Sequence, residues 1–209
     1  ETSGADIVVS GFFSTDSNGK ALDTVLPPEE GNITGKEFLG NFYAHQSNHG
    51  LPGFGHGKIV RRDLIEKNNI RFTPGLKLAE DLDFFVRLYD KAETVRTVRY
   101  AGYNYLQGAE NSTGGSSAYQ VDYLSQVKIW LGIVSILTAH GEYCGENRAF
   151  ADEKLGGYIS CAMLYRSDVN RTSASEMRRL CGDIRAVGNG ALRPAAWLYN
   201  IRLGGLCRL

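Results

Sequence analysis

Three carboxylates fall within four residues at Glu80-Asp81-Leu82-Asp83. Like charges this close repel one another. A helix N-terminus, with its unpaired N–H groups and the positive end of the helix dipole, offsets that repulsion. A carboxylate held there and open to a cleft could take a proton from an alcohol. One that only compensates the helix start would do nothing further, and the residues alone leave both readings open. Asp81 and Asp83 also form an Asp-x-Asp pair, and carboxylate oxygens suit Mg2+ or Mn2+. Residues two apart on a helix point about 200° apart, so this pair would converge on one ion only in an extended segment, and no metal is assigned to it.

A second group of reactive side chains lies upstream. His45, His49 and His56 sit in HQSNHGLPGFGHG, residues 45–57, a stretch rich in Gly, His and Asn and without a hydrophobic period. Such a stretch reads as a surface loop of the kind that lines sites. His45 and His49 have the spacing of zinc ligands on a helix, but Ser47, Asn48 and Gly50 argue against a helix there. One imidazole reaching a phosphate or a sugar hydroxyl is the better reading. In Gly53-Phe54-Gly55-His56-Gly57-Lys58 the cation stands at the expected start of a helix, an unfavourable dipole position. Lys58 is therefore expected to meet an anion, either a carboxylate of the 80–83 cluster or a phosphate; a solvent-facing lysine is the plain alternative.

The 209 residues that must position these groups carry Lys+Arg 23 against Asp+Glu 23 and are 43% hydrophobic. That composition builds a folded core and excludes global disorder. A balanced charge argues against nucleic acid as a partner. No apolar run is long enough to span a membrane. Cys144, Cys161, Cys181 and Cys207 are widely spaced and read as buried free thiols of a reducing compartment.

Residues 6–13 read as a strand, Asp16-Ser17-Asn18-Gly19 as a turn with a short return strand after it, and Thr34 with Glu37 as a capping box opening a helix to about Tyr43. Helices are expected over Lys58 to Asn68 and Leu76 to Ala92, with an extended piece at 70–72 between them and strand character over 94–100 that continues through 103–106. After residue 116 the pattern is helical: 118–140, 152–166 with a break or crowding at Gly156-Gly157, 173–187, and a last helix opened by Pro194.

Lys58-Ile59-Val60-Arg61-Arg62-Asp63-Leu64-Ile65, then Ile70-Arg71-Phe72 with Pro74-Gly75-Leu76, then Ala79-Glu80-Asp81-Leu82-Asp83-Phe84, then Tyr103-Asn104-Tyr105 and Asn111-Ser112-Thr113 follow one another in an order that resembles the second half of a family 2 glycosyltransferase, over residues 4 to 114. The resemblance implies an α/β fold: a partial GT-A mixed sheet on the acceptor side over residues 1–115, followed by an all-helical region over 116–209. It implies that Asp81 is the general base for the acceptor hydroxyl, with Glu80 its orienting neighbour, and that Lys58, His56, Tyr103, Tyr105 and Ser112 stand on the substrate side. His56 and Gly57 replace the family's usual aromatic residue and Asn, and Gln107 stands where an Arg or His is common. The nucleotide-binding half and its metal-binding Asp-x-Asp would precede residue 1. No cofactor is therefore expected in these residues, with Mg2+ or Mn2+ expected in the longer parent, and the isolated chain is expected not to turn over. The implied reaction is an inverting transfer in surface polysaccharide synthesis. Its partners would be a nucleotide-sugar donor and a saccharide or lipid-linked acceptor. The setting would be cytoplasmic, open to a peripheral contact with the inner face of the membrane and to homodimer formation through an exposed sheet edge. The alternative is a non-catalytic carbohydrate-binding or assembly domain.

Overall fold

A computed structural model describes residues 4–47, 50–76, 78–107 and 121–164, with residues 179, 182 and 183. The chain divides into two compact units, Glu1–Tyr119 and Gln120–Leu209. The expectations for Ser112, His49, the loop 108–115 and the helix 194–203 lie outside the described residues, as does the helix 173–187 apart from residues 179, 182 and 183.

The first unit is built on β1 (Ile7–Thr15), whose β-branched and aromatic residues make the central strand. Along one edge β1 pairs in parallel with β5 (Val95–Leu106), from Ile7 opposite Val95 to Thr15 opposite Leu106. Two strands share its other edge, both antiparallel. β4 (Lys58–Val60) pairs with Ile7–Val9, and β2 (Ala21–Val25) with Phe12–Thr15. The short β3 (Gly31–Ile33) pairs antiparallel with β5. This is the mixed sheet of an α/β fold.

Gly11 marks the change from one edge partner to the other. A Cβ there would lie 2.2 Å from the Val25 carbonyl oxygen, so that backbone can approach only a glycine. The pairing with β5 shifts register on both sides of Gly11. The buried side chains of β1 change phase there as well, from Ile7 and Val9 to Phe12 and Ser14. The irregularity re-aims Phe12 to the face that carries the residues discussed below.

Helices cover the sheet. Thr34 caps α1 (Gly35–Gly40): its hydroxyl accepts from the Glu37 N–H at 3.1 Å, and the Glu37 carboxylate accepts from the Thr34 N–H at 2.7 Å. This is the capping box expected from the sequence. α2 (Phe42–Ser47) follows. α3 (Arg62–Lys67) leads to α4 (Glu80–Lys91), which buries Leu82, Phe84, Phe85, Val86, Leu88 and Tyr89. α1 crosses α4 at Gly35, where a Cβ would stand 2.2 Å from the Tyr89 carbonyl oxygen and 2.5 Å from that of Ala92. Phe38 then stacks on Tyr89 at 4.3 Å between ring centres, and on its other neighbour His45 at 4.4 Å.

Three expectations are corrected here. Lys58-Ile59-Val60 is a strand, so the helix expected over Lys58 to Asn68 is confined to Arg62–Lys67; the free edge of β1 recruits the β-branched pair Ile59-Val60. His45, Gln46 and Ser47 close α2 and do not begin a loop. The helix expected from Leu76 starts at Glu80, because Gly75 at φ +85° and Ala79 at φ 60° hold the preceding chain out of helical geometry.

In the second unit Asp122 caps α5 (Tyr123–His140) by accepting from the Ser125 N–H at 3.1 Å, and Gly141 ends it in left-handed geometry. α6 (Gly145–Leu164) packs on α5, with the ring of Trp130 edge-on to Phe150 at 5.6 Å. α6 begins seven residues before the expected 152 and runs unbroken through Gly156 and Gly157, around which there is open space. Cys144 and Cys161 are free thiols, but neither is buried as expected: Cys144 is exposed and Cys161 half-buried. No helix among the described residues is long and apolar enough to cross a membrane.

The contrast between two glycines tests this packing. Gly35→Ala is expected to destabilise the fold by about 1–3 kcal/mol, since backbone must move to admit the methyl group. Gly157→Ala, exposed on α6, is expected to stabilise it by about 0.5–1 kcal/mol. Urea unfolding of the two variants beside the parent chain measures both signs.

Candidate functional site

Asp81 sits in the first turn of α4, one residue after Glu80 and half-buried. Its Oδ2 accepts a hydrogen bond from the Gly55 N–H at 2.9 Å. Gly55 must lack a side chain for that contact, because a Cβ would lie 2.9 Å from the same oxygen. Asp83 turns to other partners. Its Oδ2 accepts from the Thr73 hydroxyl at 2.7 Å and from Arg87 at 2.6 Å, and Arg87 also donates to the Arg71 carbonyl at 2.8 Å. With Phe72 stacked on Phe84 at 4.3 Å, this brace ties the segment before α4 to the helix itself. Asp83 is thus occupied structurally, and Asp81 and Asp83 do not converge. Among the described residues no three His, Cys, Asp or Glu side chains gather where a metal ion could be held.

The loop that brings Gly55 to Asp81 is fixed from beneath. The ammonium of Lys58 donates to the Leu51 carbonyl at 2.8 Å and, in a very short contact, to that of Phe54, while lying over the Phe85 ring at 4.8 Å. The buried Tyr89 hydroxyl donates to the Pro52 carbonyl at 3.4 Å. Gly53 fits against Leu82, with room for no more than a slightly crowded Cβ at 3.1 Å. Burial lowers the Lys58 pKa to about 7, and the negative charge of Asp81 opposes that shift. The residue expected at a helix start facing an anion is therefore a strand lysine bonded to carbonyls, with Asp81 acting on it through its field.

Next to this pair stands a group of rings. His56 lies nearly parallel to Tyr103 at 4.7 Å, to Phe54 at 4.9 Å and to Tyr105 at 5.3 Å, and Phe12 meets its edge at 4.6 Å. Burial, and secondarily the charge of Lys58, lowers the His56 pKa to about 4, so the imidazole is neutral near pH 7; Asp81 opposes the shift. Its Nε2 is buried without a hydrogen-bond partner. Phe54, Tyr103 and Tyr105 remain 40%, 44% and 38% exposed, so the rings present a surface to solvent. A neutral aromatic surface beside a fixed carboxylate can stack on the apolar face of a sugar ring while the carboxylate meets a hydroxyl.

The structure thus brings Asp81, Lys58, His56, Tyr103 and Tyr105 of the expected residues together, with Glu80 half-buried in the same helical turn. Ser112 lies outside the described residues. Gln107 donates its N–H to the Thr15 carbonyl at 2.8 Å and thereby extends the β1–β5 pairing. Sequence reasoning missed Gly55, Phe54 and Phe12. The alternating glycines Gly53, Gly55 and Gly57 were the available signal for the first, since repeated glycines mark close backbone approach. The basic residues near the motif do not neutralise Asp81: Arg61 pairs with Asp6 at 3.7 Å and Asp63 at 3.9 Å, and Arg62 with Glu66 at 3.9 Å.

No model of a known protein family matches the chain, and no curated protein matches it. Among solved structures it is similar to S. aureus TarS. The TarS 1–349 structure in complex with UDP-GlcNAc matches at 17% identity and a TM-score of 0.46, over 88% of this chain and 48% of that chain. The corresponding complex with UDP matches at 18% identity and 0.43, over 86% and 46%. A further S. aureus TarS structure matches at 16% identity and 0.44, over 88% and 28%. The chain spans about half the length of the TarS 1–349 chains that it matches.

Two measurements test these electrostatics. The Asp81 charge raises the Lys58 pKa, so Asp81→Asn is expected to lower it further below about 7, as read from the pH titration of the Lys58 side chain by NMR. His45 and His56 titrate near 4 in the folded chain against an ordinary 6.5. Between those values the unfolded chain binds more protons, so stability is expected to fall as pH drops from about 6.5 to about 4. His45→Phe is expected to make that fall shallower, measured by urea unfolding at several pH values.

Proposed function

We propose that the protein is a glycosyltransferase in which Asp81 is the general base. The observation that carries this reading is the Asp81 carboxylate, held at 2.9 Å by the Gly55 N–H through one oxygen, beside the exposed rings of Phe54, Tyr103 and Tyr105. The other oxygen has the chemistry to accept the proton of an acceptor hydroxyl stacked on those rings. As that proton moves to Asp81, the hydroxyl oxygen bonds to the anomeric carbon of the donor. The bond from that carbon to the nucleotide diphosphate breaks, and the configuration inverts. Lys58 positions the loop and keeps Gly55 against Asp81, so its role in this reading is positioning more than contact with substrate. His56, Tyr103 and Tyr105 supply the acceptor surface, Glu80 is the neighbour of the base, and Ser112 is proposed on the substrate side by resemblance alone.

The donor in this reading is a nucleotide-diphospho-sugar, and the acceptor a saccharide or lipid-linked saccharide of surface polysaccharide synthesis. The Mg2+ or Mn2+ that would offset charge on the leaving diphosphate would not be held by Asp81 and Asp83 together, since the two side chains turn to different partners. A second reading is favoured by the rings themselves: an aromatic surface of this kind also suits a non-catalytic carbohydrate-binding domain.

Asp81→Asn, made in the full-length protein that carries these residues, separates the two. The transferase reading expects sugar transfer to fall by roughly a hundred- to ten-thousand-fold, with the melting temperature held close to that of the parent. Transfer at the unaltered rate would refute the base, whereas saccharide binding with no transfer by the unaltered full-length protein would favour the binding domain.

A further inference from the structure

The segment that carries Gly55 is firmly held on either side and lightly held in the middle. Before it, Leu51, Pro52 and Gly53 are buried, and the Gly53 N–H donates to the Gly50 carbonyl at 2.9 Å. After it, the Gly57 carbonyl accepts from the Ser10 N–H at 2.7 Å and from the Ser10 hydroxyl at 3.1 Å, which fastens it to β1. Phe54, Gly55 and His56 lie between, with Phe54 and Gly55 exposed. Gly53 and Gly57 flank these three residues, and Gly57 stands at φ +70°, so the backbone can turn at both ends with no Cβ in the way. Among the described residues three hydrogen bonds hold them. The Phe54 N–H donates to the Gly50 carbonyl at 3.3 Å, the Phe54 carbonyl accepts from Lys58, and the Gly55 N–H donates to Asp81 at 2.9 Å.

In this closed arrangement two basic groups are kept from water. The Lys58 ammonium lies beneath the Phe54 carbonyl and over the Phe85 ring, and the His56 Nε2 is buried without a partner. Burial disfavours the charged form of an amine or an imidazole. It brings Lys58 from 10.5 down to about 7 and His56 from 6.5 down to about 4, with the negative charge of Asp81 opposing both shifts. The other titratable groups around the pair are Glu80 beside Asp81, the Tyr103 and Tyr105 phenols of β5, and the Tyr89 hydroxyl under Pro52, which burial pushes well above its usual range. If residues 54–56 swing outward, Lys58 and His56 return to water. The open form then binds more protons than the closed one between pH 7 and 10.5, so opening weakens as pH rises through that window. The carbonyl bonds do not reverse this sign, because a neutral amine keeps two N–H donors, one each for Leu51 and Phe54. His56 adds an effect of the same sign only between about 4 and 6.5.

We propose that Phe54-Gly55-His56 is a flap over Lys58 whose opening takes up a proton and dismantles the surface beside Asp81. On opening, Gly55 leaves the carboxylate, and Phe54 and His56 leave Tyr103 and Tyr105. The closed flap is the form that presents the rings, so a ligand stacked on them favours closure and opposes proton uptake. That this regulates the binding of an acceptor rests on the transferase reading above; the flap itself does not.

The test follows solvent exchange of the Gly55 amide by NMR in the full-length protein that carries these residues. Each rate is divided by that of an unstructured amide at the same pH, and the amide of Val86, buried on α4, is the reference for opening of the whole fold. Gly55 is expected to be at least about tenfold less protected than Val86 at pH 7, as a local opening requires. Its protection is expected to rise about tenfold between pH 7 and about pH 8.5, a range in which His56 does not titrate. Lys58→Met, never charged, and Lys58→Arg, charged throughout, are each expected to hold that change below about threefold. Equal protection of Gly55 and Val86, a flat or falling protection of Gly55 in the unaltered protein, or an undiminished rise in Lys58→Met would overturn the proposal. The first two outcomes need no variant to fold. If Asp81→Asn abolishes transfer while Gly55 protection stays flat in the unaltered protein, only the flap falls. If the protection rises as expected while Asp81→Asn transfers at the unaltered rate, only the catalytic reading falls.

Discussion

The ammonium of Lys58 is buried, and a buried cation must be satisfied or neutralised. Here it is satisfied by carbonyls of the chain segment that precedes it, at Leu51 and Phe54, and much of the local architecture follows from that. The segment wraps around the Nζ atom and cannot lie flat. Its wrapping presents the Gly55 N–H outward to Asp81. It also sets Phe54 and His56 in parallel, so that the rings of β5, Tyr103 and Tyr105, complete the surface. The lysine is poised near neutrality by burial, with the carboxylate opposing the loss of its charge. Asp81 thus acts on Lys58 through its charge without sharing a hydrogen bond with it.

The same region shows a division of labour among three neighbouring carboxylates. Asp83 is committed to Arg87 and Thr73 and secures the entry to α4. Asp81 spends one oxygen on the loop. Glu80 stands in the same turn at the positive end of the helix dipole, a position that favours a negative charge. Repulsion among the three is reduced because Asp81 and Asp83 turn to different partners and all three stand at the positive end of the helix dipole.

Much of this was legible in the sequence because it is written in local patterns. The β-branched run of β1, the Thr34–Glu37 box, the amphipathic α4 and the long α5 all depend on near neighbours in the chain. What was misread depends on distant partners. Ile59 and Val60 became a strand because the edge of β1 was free. His45 joined a helix because Phe38 offered a ring to stack on. β3 has only three residues and exists by pairing with β5. Glu80 and Asp81 do stand in the first turn of a helix, as their pattern suggests, but the atom that fixes Asp81 is a backbone N–H, and side-chain patterns do not report backbone donors. The carbonyl partners of Lys58 were hidden for the same reason.

In the proposed mechanism, Asp81 meets the hydroxyl of an acceptor. A crystal structure of the protein with a bound saccharide acceptor measures this directly. If Asp81 is the base, a sugar hydroxyl is expected within about 2.6–3.2 Å of the Asp81 oxygen that does not bond Gly55, with the sugar ring lying along Tyr103 and His56. An acceptor bound elsewhere, with Asp81 facing only water and Gly55, would contradict it.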